Sequence, residues 1–126
     1  MPDPTAQKTV MVVEDNPMNM RLASDLLRLH GFTVVPADNG EQALELLKTA
    51  TPHLILLDLH LPGMDGFEVF SRLRANAAWA SIPVVALTAS AMREEAEEIM
   101  AKGFNGHIAK PIDTKRFVEQ VKAMAG

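Results

Sequence analysis

The chain contains no cysteine, so no disulfide can form, and nothing in it calls for an oxidising compartment. It also lacks any apolar run near the roughly 20 residues that span a bilayer. The opening MPDPTAQKT is polar and proline-containing, without the charged start and apolar stretch of a signal peptide. The cytoplasm is the expected location, without a membrane partner. Positive charge is in short supply: 12 Lys and Arg face 16 Asp and Glu, a net charge of −4. That balance excludes bulk binding to a nucleic-acid backbone, which needs a basic surface. There is no repeat, no low-complexity tract and no compositional break. At 126 residues the chain is one domain with a real core, expected over 8–126 after a flexible tail at 1–7.

What the chain does have is alternation. Lys8 to Val13 reads as an apolar strand buried on both faces. Asn16-Pro17 opens a helix with Met20, Ala23, Leu26, Leu27 and His30 at inward spacing, closed by Gly31. Phe32 to Pro36 is a second strand, and Glu41 to Lys48 a helix burying Ala43, Leu44 and Leu47. His53 to Asp58 is the third strand, followed by the turn-rich loop Leu61 to Gly66 and a helix to about Arg74. Ile82 to Leu87 is the fourth strand. Ala91 to Lys102 is a helix with Met92, Ala96, Ile99 and Met100 inward and a solvated run of glutamates from Glu94 to Glu98. Asn105 to Ala109 is the fifth strand. Asp113 is expected to N-cap a last helix with Phe117, Val118, Val121 and Met124 inward. Five βα units with short links predict an α/β fold with a parallel sheet and helices on both faces.

The polar signals stand where the strands end. Glu14-Asp15 follow the first strand, Asp58 ends the third, Thr88 follows the fourth and Lys110-Pro111 the fifth. Residues at those ends of an open parallel sheet converge on one crevice. Three carboxylates there, Glu14, Asp15 and Asp58, would crowd negative charge at one edge, which disfavours their joint ionisation unless a cation sits between them. An oxygen-only set favours a hard ion, Mg²⁺ first. An aspartate beside such an ion is a competent nucleophile toward phosphorus. Lys110 offers a mobile positive charge to a phosphoryl oxygen, and Thr88 a neutral donor.

Four segments, VVEDN (12–16), LLDLHLPGMDG (56–66), ALTAS (86–90) and AKPI (109–112), each stand at the right end of the right element. In that order they resemble the receiver domain of two-component response regulators over essentially the whole chain. The resemblance implies a flavodoxin-like (βα)5 fold, a doubly wound sheet in strand order 2-1-3-4-5. It implies that Asp58 is the phospho-acceptor. Asp15 is then a direct Mg²⁺ ligand, Glu14 assists through water, and the backbone carbonyl of His60 completes the shell. Thr88 and Lys110 hold the phosphoryl group, and the Lys110-Pro111 peptide is cis. The implied partners are a histidine kinase or histidine phosphotransfer protein and a downstream protein, met by the face of the fourth helix, fifth strand and fifth helix. Monomer and phosphorylation-dependent dimer both fit. The chain ends after the fifth helix, like single-domain regulators; its starting Met and short tails also favour a free-standing protein. Asn16 and ALTASAM resemble receivers of hybrid kinases and phosphorelay shuttles.

One position departs from the pattern. The family usually carries Tyr or Phe three residues before the lysine, as a switch partner of the threonine, and here that residue is His107. Histidine is smaller and titrates near neutrality, so any switching by His107 would run through a charge-sensitive hydrogen bond. Two other functions compete. A phosphorylation-independent adaptor would use the fold only as a surface. A nucleotide- or flavin-binding enzyme would need a glycine-rich loop at the first turn, where EDNP stands instead.

Overall fold

The computed structural model describes residues 8–88 and 93–125, without the side chains of Arg93, Glu94 and Ala125. The expected tail at 1–7, the ALTAS residues Ala89 and Ser90, and the expected helix start Ala91-Met92 lie outside the described residues.

The elements are β1 (Thr9–Val13), α1 (Pro17–Leu29), β2 (Thr33–Ala37), α2 (Gly40–Leu46), β3 (Leu54–Asp58), α3 (Gly66–Ala75), β4 (Val84–Thr88), α4 (Arg93–Ala101), β5 (Gly106–Ala109) and α5 (Phe117–Ala125). All pairings are parallel, in the order β2-β1-β3-β4-β5. The predicted α/β sheet and its strand order are therefore present. The continuous apolar runs became interior strands: every residue of β3 and β4 is buried. The edge strands β2 and β5 alternate or mix exposure instead. Pro36 sits in β2, where the edge tolerates a missing N–H.

Side-chain alternation splits the core in two. Met11, Val13, Ile55 and Leu57 pack with Val69, Phe70 and Leu73 of α3 and Ile99 of α4. Val10, Val12, Leu54 and Leu56 pack with Ala23 and Leu27 of α1 and Phe117, Val118 and Val121 of α5. So α1 and α5 cover one face, while α2, α3 and α4 cover the other.

Local signals set most helix ends. Asn16 caps α1, its side chain accepting from the N–H groups of Met18 and Asn19. Gly31 and Gly103 follow α1 and α4 at φ of 94° and 102°, a left-handed conformation glycine adopts freely.

Three expectations need correction. His30 is exposed rather than inward; it is the C-cap of α1, and its ring Nδ1 lies 2.9 Å from the Leu26 carbonyl. Met100 is 49% exposed, because the short α4 turns only Ile99 fully into the core. Asp113 does not directly precede α5. Its side chain accepts from the Lys115 N–H at 2.9 Å, within a turn at 114–116, and α5 begins at Phe117.

Candidate phosphoryl-acceptor site

The carboxyl ends of β1, β3, β4 and β5 bring the expected polar residues together. Asp58 is the last residue of the central strand β3, and its side-chain Oδ1 accepts the His60 N–H at 2.9 Å. That bond turns the chain sharply after the strand and holds His60 beside the carboxylate. Glu14 follows β1, anchored by its N–H to the Ala37 carbonyl at 3.0 Å. The Lys110 N–H donates to the Thr88 carbonyl at 2.7 Å, which continues the β4–β5 pairing and aims the lysine at the crevice. The Lys110–Pro111 peptide is cis.

Lys110 lies between two carboxylates. Its Nζ is 2.9 Å from Asp58 Oδ2, and 3.2 and 3.4 Å from the Glu14 oxygens. Glu14 and Asp58 are each 1% exposed, so this ammonium compensates charge that water cannot reach. Glu14 Oε1 also accepts from the Asn16 N–H and from Asn19 Nδ2. Among the described residues no buried side-chain nitrogen or oxygen lacks a partner.

One carboxylate oxygen from each of Glu14, Asp15 and Asp58 falls within 4.8 Å of the others. Asp15 is exposed, so the cluster opens to solvent on one side. An all-oxygen set with an open side fits a hard divalent ion that keeps part of its water. The carboxylates can hold such an ion, and Lys110 balances part of their charge.

The electrostatics follow from this crowding. Burial raises the pKa of Glu14, and hydrogen bonding and repulsion from Asp58 raise it further, against the lowering by Asn19 and Lys110. Burial alone would lower the pKa of Lys110, but its contacts with Asp58 and then Glu14 reverse this and leave it raised. A carboxyl with a raised folded-state pKa stabilises the fold fully below its unfolded value near 4.5, and that contribution is lost as pH rises through the folded value. Lys110 behaves alike at alkaline pH: its contribution is fully present below 10.5 and is lost as pH rises through its raised folded value. Glu14→Gln, which keeps the shape without the charge, should therefore stabilise the metal-free protein by about 1 kcal/mol at pH 8. The difference from wild type should shrink toward pH 4. Urea unfolding in EDTA across that range checks this; a pH-independent difference would show that ionisation of Glu14 is not the cause.

Two residues of the site carried no sequence signal. Asn19, one turn into α1, holds Glu14. Glu95, within the glutamate run of α4, accepts the Thr88 hydroxyl at 2.8 Å. His107 lies exposed on β5, in register with Ala86, and not among the carboxylates.

A parallel sheet in this strand order, with its polar residues gathered at the strands' carboxyl ends, is the architecture of the flavodoxin-like class. The chain belongs to the response regulator receiver domain family, matched over residues 10–122, and so to two-component signalling. It is 41% identical to the polar-differentiation response regulator DivK of Brucella anthropi, over 94% of this chain and 97% of that protein. Its fold matches the chemotaxis response regulator CheY4 of Vibrio cholerae with a TM-score of 0.87 at 26% identity, over 93% and 98% of the two chains. It matches the Mn²⁺-bound form of response regulator Rcp1 with a TM-score of 0.76 at 28% identity, over 92% and 90%. Among the described residues no helix is long and apolar enough to cross a membrane.

Proposed function

We propose that this chain is a cytoplasmic response regulator that accepts a phosphoryl group on Asp58 in a Mg²⁺-dependent reaction. The donor is the phosphohistidine of a histidine kinase or histidine phosphotransfer protein. The observation that carries this reading is the buried Asp58 carboxylate, in salt-bridge contact with Lys110 at 2.9 Å and clustered with Glu14 and Asp15. Supporting it, the Brucella relatives are themselves named response regulators, and Rcp1 has a metal-bound form.

On this reading Glu14, Asp15, Asp58 and the His60 carbonyl hold the ion, which supplies charge neutralisation between Asp58 and the incoming phosphate. A carboxylate oxygen of Asp58 attacks phosphorus, and the P–N bond of the donor breaks with its electron pair left on the imidazole. The product is an acyl phosphate. The Asp58 side chain is only 2% exposed in the resting arrangement, so Lys110 must leave Oδ2 for phosphorus to approach. The ammonium then follows a phosphoryl oxygen, and the Thr88 hydroxyl takes another. His60 shields or orients the water that later hydrolyses the product. The domain catalyses only its own modification and feeds no separate product pool. Thr88 and His107 relay the change to the α4–β5–α5 face, where the downstream protein docks.

Intact-mass spectrometry after incubation with acetyl phosphate tests this. Wild type should gain one phosphoryl group with Mg²⁺ and none with EDTA, and Asp58→Asn should gain none under either condition. If a phosphorylated histidine phosphotransfer protein also failed to load wild type, the reading would be wrong and the chain would act as an adaptor.

A further inference from the structure

The run from Glu94 to Glu98 would be a solvated helix face, but Glu95 does not behave like its neighbours. Glu97 and Glu98 are exposed, whereas the Glu95 side chain is 26% exposed and turned toward the sheet. Its Oε1 accepts the Thr88 hydroxyl at 2.8 Å and lies 3.8 Å from His60 Nε2. One carboxylate oxygen thus meets the end of β4 and the loop after β3, the two segments that flank Asp58. Thr88 is itself 1% exposed, so no water competes freely for its proton.

A hydroxyl has one proton to donate. While it goes to Glu95, it cannot go to a phosphoryl oxygen on Asp58. We infer that Glu95 is a positioning residue that latches Thr88 in the resting state and ties the first turn of α4 to the site. This rests on the reading of Asp58 as acceptor. A bond to a carboxylate is stronger than one to a neutral oxygen, so the latch favours the resting state by a definite amount. Re-aiming Thr88 at a phosphoryl oxygen removes that bond and releases the start of α4. A ligand shifts a two-state equilibrium only through contacts that differ between the states, and the Thr88 proton is such a contact.

The test is Mg²⁺-dependent binding of beryllofluoride, which occupies an acceptor carboxylate as a phosphoryl group would. Glu95→Ala should bind it about tenfold more tightly than wild type, the equilibrium effect of one charge-assisted hydrogen bond. Glu95→Gln, which keeps an acceptor without the charge, should fall between. In a Thr88→Ala background the Glu95→Ala gain should vanish, because the two residues act through one bond. A gain that persists there would mean that Glu95 merely stiffens α4, and affinity within twofold of wild type would also overturn the latch. Failure of wild type to bind beryllofluoride or take a phosphoryl group would instead remove the reading of Asp58, and the latch with it.

Discussion

Replacing Lys110 with alanine should lower the stability of the metal-free protein by about 3 kcal/mol at neutral pH, and saturating Mg²⁺ should restore most of it. Removing one partner of a buried ion pair costs ~3–5 kcal/mol, because the remaining charge stays desolvated and unpaired. Here two carboxylates would be left, Glu14 and Asp58, each 1% exposed. Residual bonds from Asn16 and Asn19 hold Glu14, and the His60 N–H holds Asp58. These are neutral donors and cannot replace a cation. The lower end of the range is expected because Asp15 leaves the cluster open to solvent on one side. A divalent ion bound only by the folded state recovers stability by mass action. Urea unfolding in EDTA and in Mg²⁺ measures both parts. A Lys110→Ala protein as stable as wild type in EDTA would show that the ammonium does not carry the charge balance. Phosphorylation by acetyl phosphate should fall about a hundredfold in the same variant, the usual effect of losing one electrostatic contact to a transferring group.

Gly66→Ala should destabilise the protein by about 3 kcal/mol, lowering its melting temperature by ~10 °C, and slow phosphoryl acceptance as well. A Cβ on Gly66 would lie 2.5 Å from the Asp58 carbonyl oxygen and 2.6 Å from Leu59 Cα. Both are backbone atoms at the end of the central strand, so no side chain can turn away to make room. The Gly66 N–H also donates to the Leu59 carbonyl at 3.1 Å, which ties the start of α3 to the chain leaving β3. Relief of the clash must move either α3, which buries Val69, Phe70 and Leu73, or the backbone that aims Asp58. The second route predicts a kinetic defect beyond the loss of stability, since small displacements of a reacting group are expensive. Calorimetry and the rate of phosphorylation by acetyl phosphate at 10 °C check the two effects separately. Unchanged melting would mean that the loop yields without strain.

Much of this arrangement was legible in the chain. The strands β1, β3 and β4 announce themselves as unbroken apolar runs, because a strand covered on both faces has no polar side to display. The α3 stripe of Val69, Phe70 and Leu73 follows directly from helical spacing. His30 and Met100 misled for the opposite reason. Both stand at helical spacing with core residues, yet His30 is the exposed C-cap of its helix and Met100, beside the buried Ile99 near the end of the short α4, is 49% exposed. Periodicity gives a residue's phase but not whether anything lies opposite it. Glu95 was hidden among chemically identical neighbours. Only the rotation of α4 about its axis, set by Ile99 in the core, selects which glutamate meets Thr88.

The amino-acid order by itself determined the βα alternation, the turn residues and the presence of carboxylates, hydroxyl and lysine at strand ends. These depend on near-neighbour periodicity and backbone preference, which a linear chain displays. The tertiary structure alone decided that one ammonium would be shared between Glu14 and Asp58, 96 and 52 residues away from it, and that Thr88 would give its proton to Glu95. Contacts over such separations leave no local pattern. They exist because parallel strands, once paired in register, bring their ends to a common edge, and because buried polar groups there must find hydrogen-bond partners within the protein.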